Sequence, residues 1–182
     1  MAVRDIVLYA ENESILRGES KPIRTLDRKI RRLIQDLKDT LAYHEDGIGL
    51  AAPQIGVHWQ VVVVRLGGNP EDGGELGSPE ALINPEIVEA GDEQRGFDGC
   101  LSFPNLYAET MRPHHLRVVS LDEEGRRLER TYDGFDAVVV HHEIDHLRGV
   151  LFIDRVESIE DMYQVYPDEN GNLVRVPLGS PR

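Results

Sequence analysis

Cysteine is almost missing from this chain: Cys100 stands alone among 182 residues. A single cysteine cannot close an internal disulfide, so it is a small buried hydrophobe, a reactive thiol or a metal ligand, and a reducing compartment suits all three. Positive charge is also scarce, with 20 Lys and Arg against 33 Asp and Glu and a formal net charge of -13. Such a chain repels phosphate backbones at long range, which argues against nucleic acid as a direct substrate. Arg28, Lys29, Arg31, Arg32 and Lys38 do cluster in one segment, and their spacing reads as the solvated face of a helix. No apolar run approaches the length of about eighteen residues that suggests a membrane span. MAVRDIVLYA has no long apolar core behind a basic start, so a cytoplasmic location is expected. What is present is ordinary: 40% hydrophobic and 29% charged residues suit a globular protein, and the length suits one domain over residues 1–182.

From Thr25 onward, Leu26, Ile30, Leu33, Leu37 and Leu41 recur at steps of three or four, with charged and amide residues between them. That period predicts a long amphipathic helix, capped by Thr25 and stopped at Gly47. Residues 57–66, rich in valine, predict a strand, and residues 67–79 a surface loop. Residues 81–89 predict another strand, with Pro85 marking an edge position or a bulge. Residues 116–121 and 126–132 flank Asp122-Glu123-Glu124-Gly125, which predicts a hairpin. Residues 135–148 predict a second helix ended by Gly149, although Val138 to Val140 alone would suit a strand. The tail from about residue 169 is rich in Gly, Pro, Asn and Ser and is expected to pack loosely.

Within that second helix, His142-Glu143-Ile144-Asp145-His146 spells H-E-x-x-H. Residues four apart lie on one helical face, so both imidazoles can converge on one ion. Catalytic zinc-type sites usually take three protein ligands and keep one position open for water, so a third ligand is required. A longer protease pattern would place a histidine where this chain has Phe152, which disfavours that family. Glu157 or Glu160 could serve, as in a small metallopeptidase. Cys100 could also serve, because a thiolate with two imidazoles suits zinc or ferrous iron. Glu143, adjacent to His142, can reach the open position as a proton carrier.

Three segments resemble the signature motifs of the peptide deformylase family: Gly47-Ile48-Gly49-Leu50-Ala51-Ala52-Pro53-Gln54, Asp98-Gly99-Cys100-Leu101-Ser102 and His142-Glu143-Ile144-Asp145-His146-Leu147. Weaker similarity extends it to residues 5–156. The resemblance implies an α+β fold of mixed or antiparallel strands wrapped around a central metal-binding helix that carries H-E-x-x-H, with a long N-terminal amphipathic helix. It implies a hydrolase that removes the formyl group from the initiator methionine of nascent polypeptides and releases formate. Cys100, His142 and His146 would hold one divalent metal, natively Fe2+, with Zn2+, Ni2+ or Co2+ as substitutes. Glu143 would move protons, the Gln54 amide and the Leu101 backbone N–H would stabilise the oxyanion, and Gly47, Ile48, Gly49 and Leu50 would bind N-formyl-methionyl peptides. Transient ribosome contact is a further partner of such enzymes, and the acidity of this chain opposes it. Two residues depart from the family pattern: Asp98 stands where glutamate is usual, and His141 where glutamine is common.

Overall fold

A computed structural model describes residues 2–179. The helical period seen in the sequence becomes α2 (Arg28–Tyr43), which follows a short α1 (Tyr9–Leu16) that no sequence signal predicted. The cap of α2 is Asp27 rather than Thr25: its Oδ1 accepts from Ile30 N at 2.9 Å. A carboxylate there also complements the helix dipole, so it wins over the hydroxyl two residues earlier. The helix ends at Tyr43, short of Gly47, because His44 already has an extended backbone. The basic cluster faces outward as expected, with Arg31 donating to Glu123 O and Lys38 pairing with Glu123.

Seven strands form one antiparallel sheet: β1 (Gly49–Ala51), β2 (Val61–Val64), β3 (Glu80–Gly99), β4 (Leu106–Leu121), β5 (Arg127–Asp133), β6 (Met162–Pro167) and β7 (Leu173–Pro177). Their order is β1-β2-β3-β4-β6-β7, with β5 also paired to β4. The four valines of β2 are all buried because the sheet is covered on both faces. Side chains alternate across a strand. Val61 and Val63 therefore meet Ile30, Leu33, Leu37 and Leu41 of α2, while Val62 and Val64 meet the other cluster. That second cluster contains Val139, Val140, Ile144 and Leu147 of α3 (Gly134–Leu147). Burial on nearly every side explains why α3 lacks a polar stripe and why its valines looked strand-like.

The strand expected at residues 81–89 is much longer. Pro85 does sit at a bulge, in the register shift between Ile83 and Glu86, and just past the end of the β2 ladder at Ile83, so from there on β3 pairs with β4 alone. Asn84 turns the chain with φ 49 and is held by two 2.7 Å hydrogen bonds with the backbone of Ile23. The predicted hairpin appears as β4–β5, with Leu121 opposite Arg127 and Gly125 at φ 82. Gly149 follows α3 as expected, at φ 70, and a side chain there would run into Arg17 O. The tail, expected to be loose, contributes β7 to β6, with Tyr166 opposite Val174. No helix among the described residues is long and apolar enough to cross a membrane.

Leu37 is fully buried between α2 and the sheet. Leu37→Ala should lower unfolding free energy by roughly 2–5 kcal/mol, read from urea denaturation. A loss well under 1 kcal/mol would contradict this packing.

Candidate metal centre and active site

The β3–β4 connection brings Cys100 to the face of α3 that carries His142 and His146. The three potential ligand atoms lie within 4.8 Å of one another. His142 Nε2 is 3.2 Å from His146 Nε2, and Cys100 Sγ is 3.3 Å from His146 Nε2. Metal–nitrogen bonds of 2.0–2.1 Å in a tetrahedral sphere separate two ligand nitrogens by about 3.3 Å, so the spacing fits. The chemistry fits as well. His142 Nδ1 lies 2.8 Å from Asp98 Oδ1, and a ring that donates its Nδ1 proton there can offer Nε2 to an ion. A thiol sulfur and two imidazole nitrogens are a donor set for zinc or ferrous iron. Glu157 and Glu160 are not part of this group, so the alternative third ligands fall away.

Charge in the pocket is tightly arranged. Burial opposes a charged His142, yet Asp98 and the Cys100 sulfur together carry it well above its ordinary value. Burial and the nearby His142 push His146 well below its own. Burial pushes the Glu143 carboxyl up to about 7; the Asp98 charge adds to this and His142 opposes it. A carboxyl near neutrality is suited to accept and return a proton.

Behind the donors stands a residue the sequence reading missed. Arg112 is 1% exposed and lies on the inward side of β4, in phase with Ala108, Thr110 and Leu116. Its Nε donates to Asp98 Oδ2 at 2.7 Å and its Nη1 to Asp145 Oδ2 at 2.9 Å. Thr110 adds a bond to Asp98 at 3.1 Å, and Arg155 grips Asp145 with two, at 2.6 and 2.8 Å. Although burial works against its charge, the His142 and Arg112 charges hold Asp98 far below the usual carboxylate range. The shorter side chain of Asp98 therefore still spans the gap. His141 is buried beside this network; burial pushes its pKa down to about 4, Asp145 opposes and Arg112 adds to the fall. A charge on the inward face of an alternating strand is the signal that could have marked Arg112.

The remaining predicted residues gather around the same point. Gln54 sits in a short 3-10 turn, and its Oε1 accepts from Ala51 N at 2.8 Å. That bond fixes the amide so that Nε2 faces Cys100 Sγ (3.3 Å) and Ser102 Oγ (3.2 Å). Gly49 lies against Glu143: a Cβ there would be 2.3 Å from Glu143 Oε1. Glu143 Oε2 is buried with no hydrogen-bond partner among the described residues. Leu50 is fully buried and its side chain packs in the core with Leu41 and Val61. Ile48 is partly buried in the cluster around α3, and Leu101 packs partly against the α2 cluster. Gly47 closes a turn on His44 O. Ile48 O accepts from Arg65 N, so alternation along an antiparallel ladder turns the N–H and C=O of Gly49 toward the outer edge of β1.

Residues 3–162 match the family model described as polypeptide deformylase. The chain belongs to the peptide deformylase family. It is 41% identical over 180 residues to the peptide deformylase of Thermomicrobium roseum, covering 99% of this chain and 100% of that protein. The crystal structure of the peptide deformylase from Thermotoga maritima superposes with a TM-score of 0.76 at 34% identity, over 87% of this chain and 100% of that one. A peptide deformylase from Acinetobacter baumannii, bound to Met-Ala-Ser, superposes with a TM-score of 0.77 at 29% identity, over 85% of this chain and 99% of that one. As a peptide deformylase, the chain is a metal-dependent hydrolase that removes the N-formyl group from the initiator methionine of nascent polypeptides.

Replacing Arg112 by methionine should strand Asp98 without its buried counter-charge and cost about 3 kcal/mol or more of stability. Chemical denaturation of the metal-free protein checks this; an unchanged midpoint would contradict the network.

Proposed function

We propose that Cys100, His142 and His146 hold one divalent ion and that Glu143 carries protons between water and the leaving amine. The convergence of Sγ and two Nε2 atoms carries this reading. Fe2+ is the proposed native ion, with Zn2+, Ni2+ or Co2+ able to take the same donors. Bound there, the ion supplies Lewis acidity, making water nucleophilic near neutral pH and polarising a carbonyl oxygen. The substrate is an N-formyl-methionyl peptide, and the proposed site of action is the cytoplasm. The net charge of -13 favours no contact with ribosomal RNA.

In the proposed reaction water adds to the formyl carbon, the carbon–nitrogen bond breaks, and formate leaves with the free amine. Glu143 takes the proton from the attacking water and delivers it to the nitrogen. Gln54 Nε2–H and the Leu101 backbone N–H donate to the formyl oxygen as negative charge grows on it, and losing one such donor typically costs about a hundredfold or more. The outer edge of β1 pairs with the extended peptide through backbone groups of residues 47–50, as added strands do elsewhere. Within that segment Gly49 turns its N–H and C=O outward, whereas Leu50 has its side chain buried and its backbone facing Val63 across the β1–β2 ladder. The absence of a Cβ at Gly49 lets Glu143 reach the reacting group while the peptide passes close by. The tight wall of residues 47–50 selects a formyl group over the larger acetyl.

Glu143→Gln should retain its metal by elemental analysis yet release formate from formyl-Met-Ala orders of magnitude more slowly. Near-normal turnover would remove Glu143 from the mechanism. Cys100→Ala should lose or loosen the ion, and unchanged metal content would assign the third ligand elsewhere. Gly49→Ala should keep the metal but slow turnover, because the new methyl displaces the Glu143 carboxylate; wild-type kcat would show that the contact is unimportant.

A further inference from the structure

Arg112 is enclosed, so each of its N–H groups needs an acceptor inside the protein. Nη1 has two: Asp145 Oδ2 at 2.9 Å and His141 Nδ1 at 2.7 Å. A guanidinium can only donate, so His141 Nδ1 is the bare acceptor and the ring proton sits on Nε2. The contacts then form a line from His141 to His142, with Arg112 Nη2 also 3.4 Å from His142 Nδ1. His141 Nδ1 meets Arg112 Nη1 at 2.7 Å, Arg112 Nε meets Asp98 Oδ2 at 2.7 Å, and Asp98 Oδ1 meets His142 Nδ1 at 2.8 Å.

We infer that His141 is a positioning residue for the metal centre: its Nδ1 lone pair fixes the Arg112 guanidinium, which holds Asp98 on His142. The inference rests on the reading of His142 as a metal ligand. Asp145 cannot substitute for His141, because its Oδ2 already accepts from both Arg112 Nη1 and Arg155 Nε and its Oδ1 is held by Arg155. Without the ring, one Nη1 hydrogen has no partner in a closed space, and the planar fork loses one of the contacts that fix its plane and is drawn to turn toward another acceptor. Turning it draws Nε away from Asp98, which would keep only Thr110 as a second donor. His142 would then lose the acceptor that orients its ring. Loss of such an outer partner typically weakens metal affinity about 10–100-fold.

Zn2+ affinity, measured by competition with a chromophoric chelator on folded protein, tests this in three variants. His141→Leu fills the space without an acceptor and should bind Zn2+ about 10–100-fold more weakly. His141→Asn carries its Oδ1 on the same atom that bears Nδ1 in histidine, so it should restore affinity to near wild type. His141→Met, which also lacks a strong acceptor, replaces the leucine variant if that one does not fold. Wild-type affinity in the leucine or methionine variant, or failure of asparagine to restore it, overturns the inference. Failure of both apolar variants to fold, with the asparagine variant intact, overturns it too, in favour of a purely structural role. Wild-type protein that binds no Zn2+ at the three donors would instead sink the ligand assignment itself.

Discussion

The ion pair between Arg112 and Asp98 joins β4 to β3, and through Asp145, His141 and His142 it joins both strands to α3. Taking two charges out of water costs several kcal/mol per ion, and their attraction offsets this only when the remaining donors and acceptors are also satisfied. Here they are: Asp98 accepts from Arg112, Thr110 and His142, while Asp145 accepts from Arg112 and Arg155. Apolar packing alone would hold α3 on the sheet through Val140, Ile144 and Leu147, but such contacts are non-directional. The polar network adds direction. It sets which way the His142 ring points, and the geometry of the three donor atoms follows from that.

A second constraint acts on the other side of α3's histidines. β1 crosses so near Glu143 that a Cβ at position 49 would displace the Glu143 carboxylate. The same strand continues into the turn that aims Gln54 at Cys100. A three-residue strand therefore sets the distance between Glu143 and the Gln54 amide. It can do so because β2, its partner, is buried on both faces and cannot shift without disturbing both cores. Stability and chemistry are thus coupled through β2: the packing that fixes the fold also fixes the reacting groups.

Much of this was legible in the sequence where the signal is local. The spacing of His142 and His146 follows from helical geometry alone, and the α2 stripe and the β4–β5 turn are equally short-range patterns. That Cys100 joins the two histidines was not legible from spacing, because it reaches α3 only after β3 and β4 have paired. The resemblance to known motifs supplied that residue. The second half of β3 escaped notice since residues 90–99 contain few β-branched side chains, and their strand exists by pairing with β4. Arg112 escaped for the same reason: a lone arginine acquires its role only when a distant aspartate on the facing strand and a helix close over it. Asp98 looked like a defect at the level of sequence. In the fold its carboxylate spans His142 and Arg112 at ordinary hydrogen-bond lengths, so one methylene fewer is absorbed.

In the proposed centre one sulfur and two imidazole nitrogens share a single ion. X-ray absorption spectroscopy at the zinc edge of the Zn2+-loaded protein reads that donor set without reference to activity. One sulfur at about 2.3 Å and two imidazole nitrogens at about 2.0 Å are expected, with one lighter oxygen scatterer besides. A first shell made only of nitrogen and oxygen, with no sulfur, would contradict this.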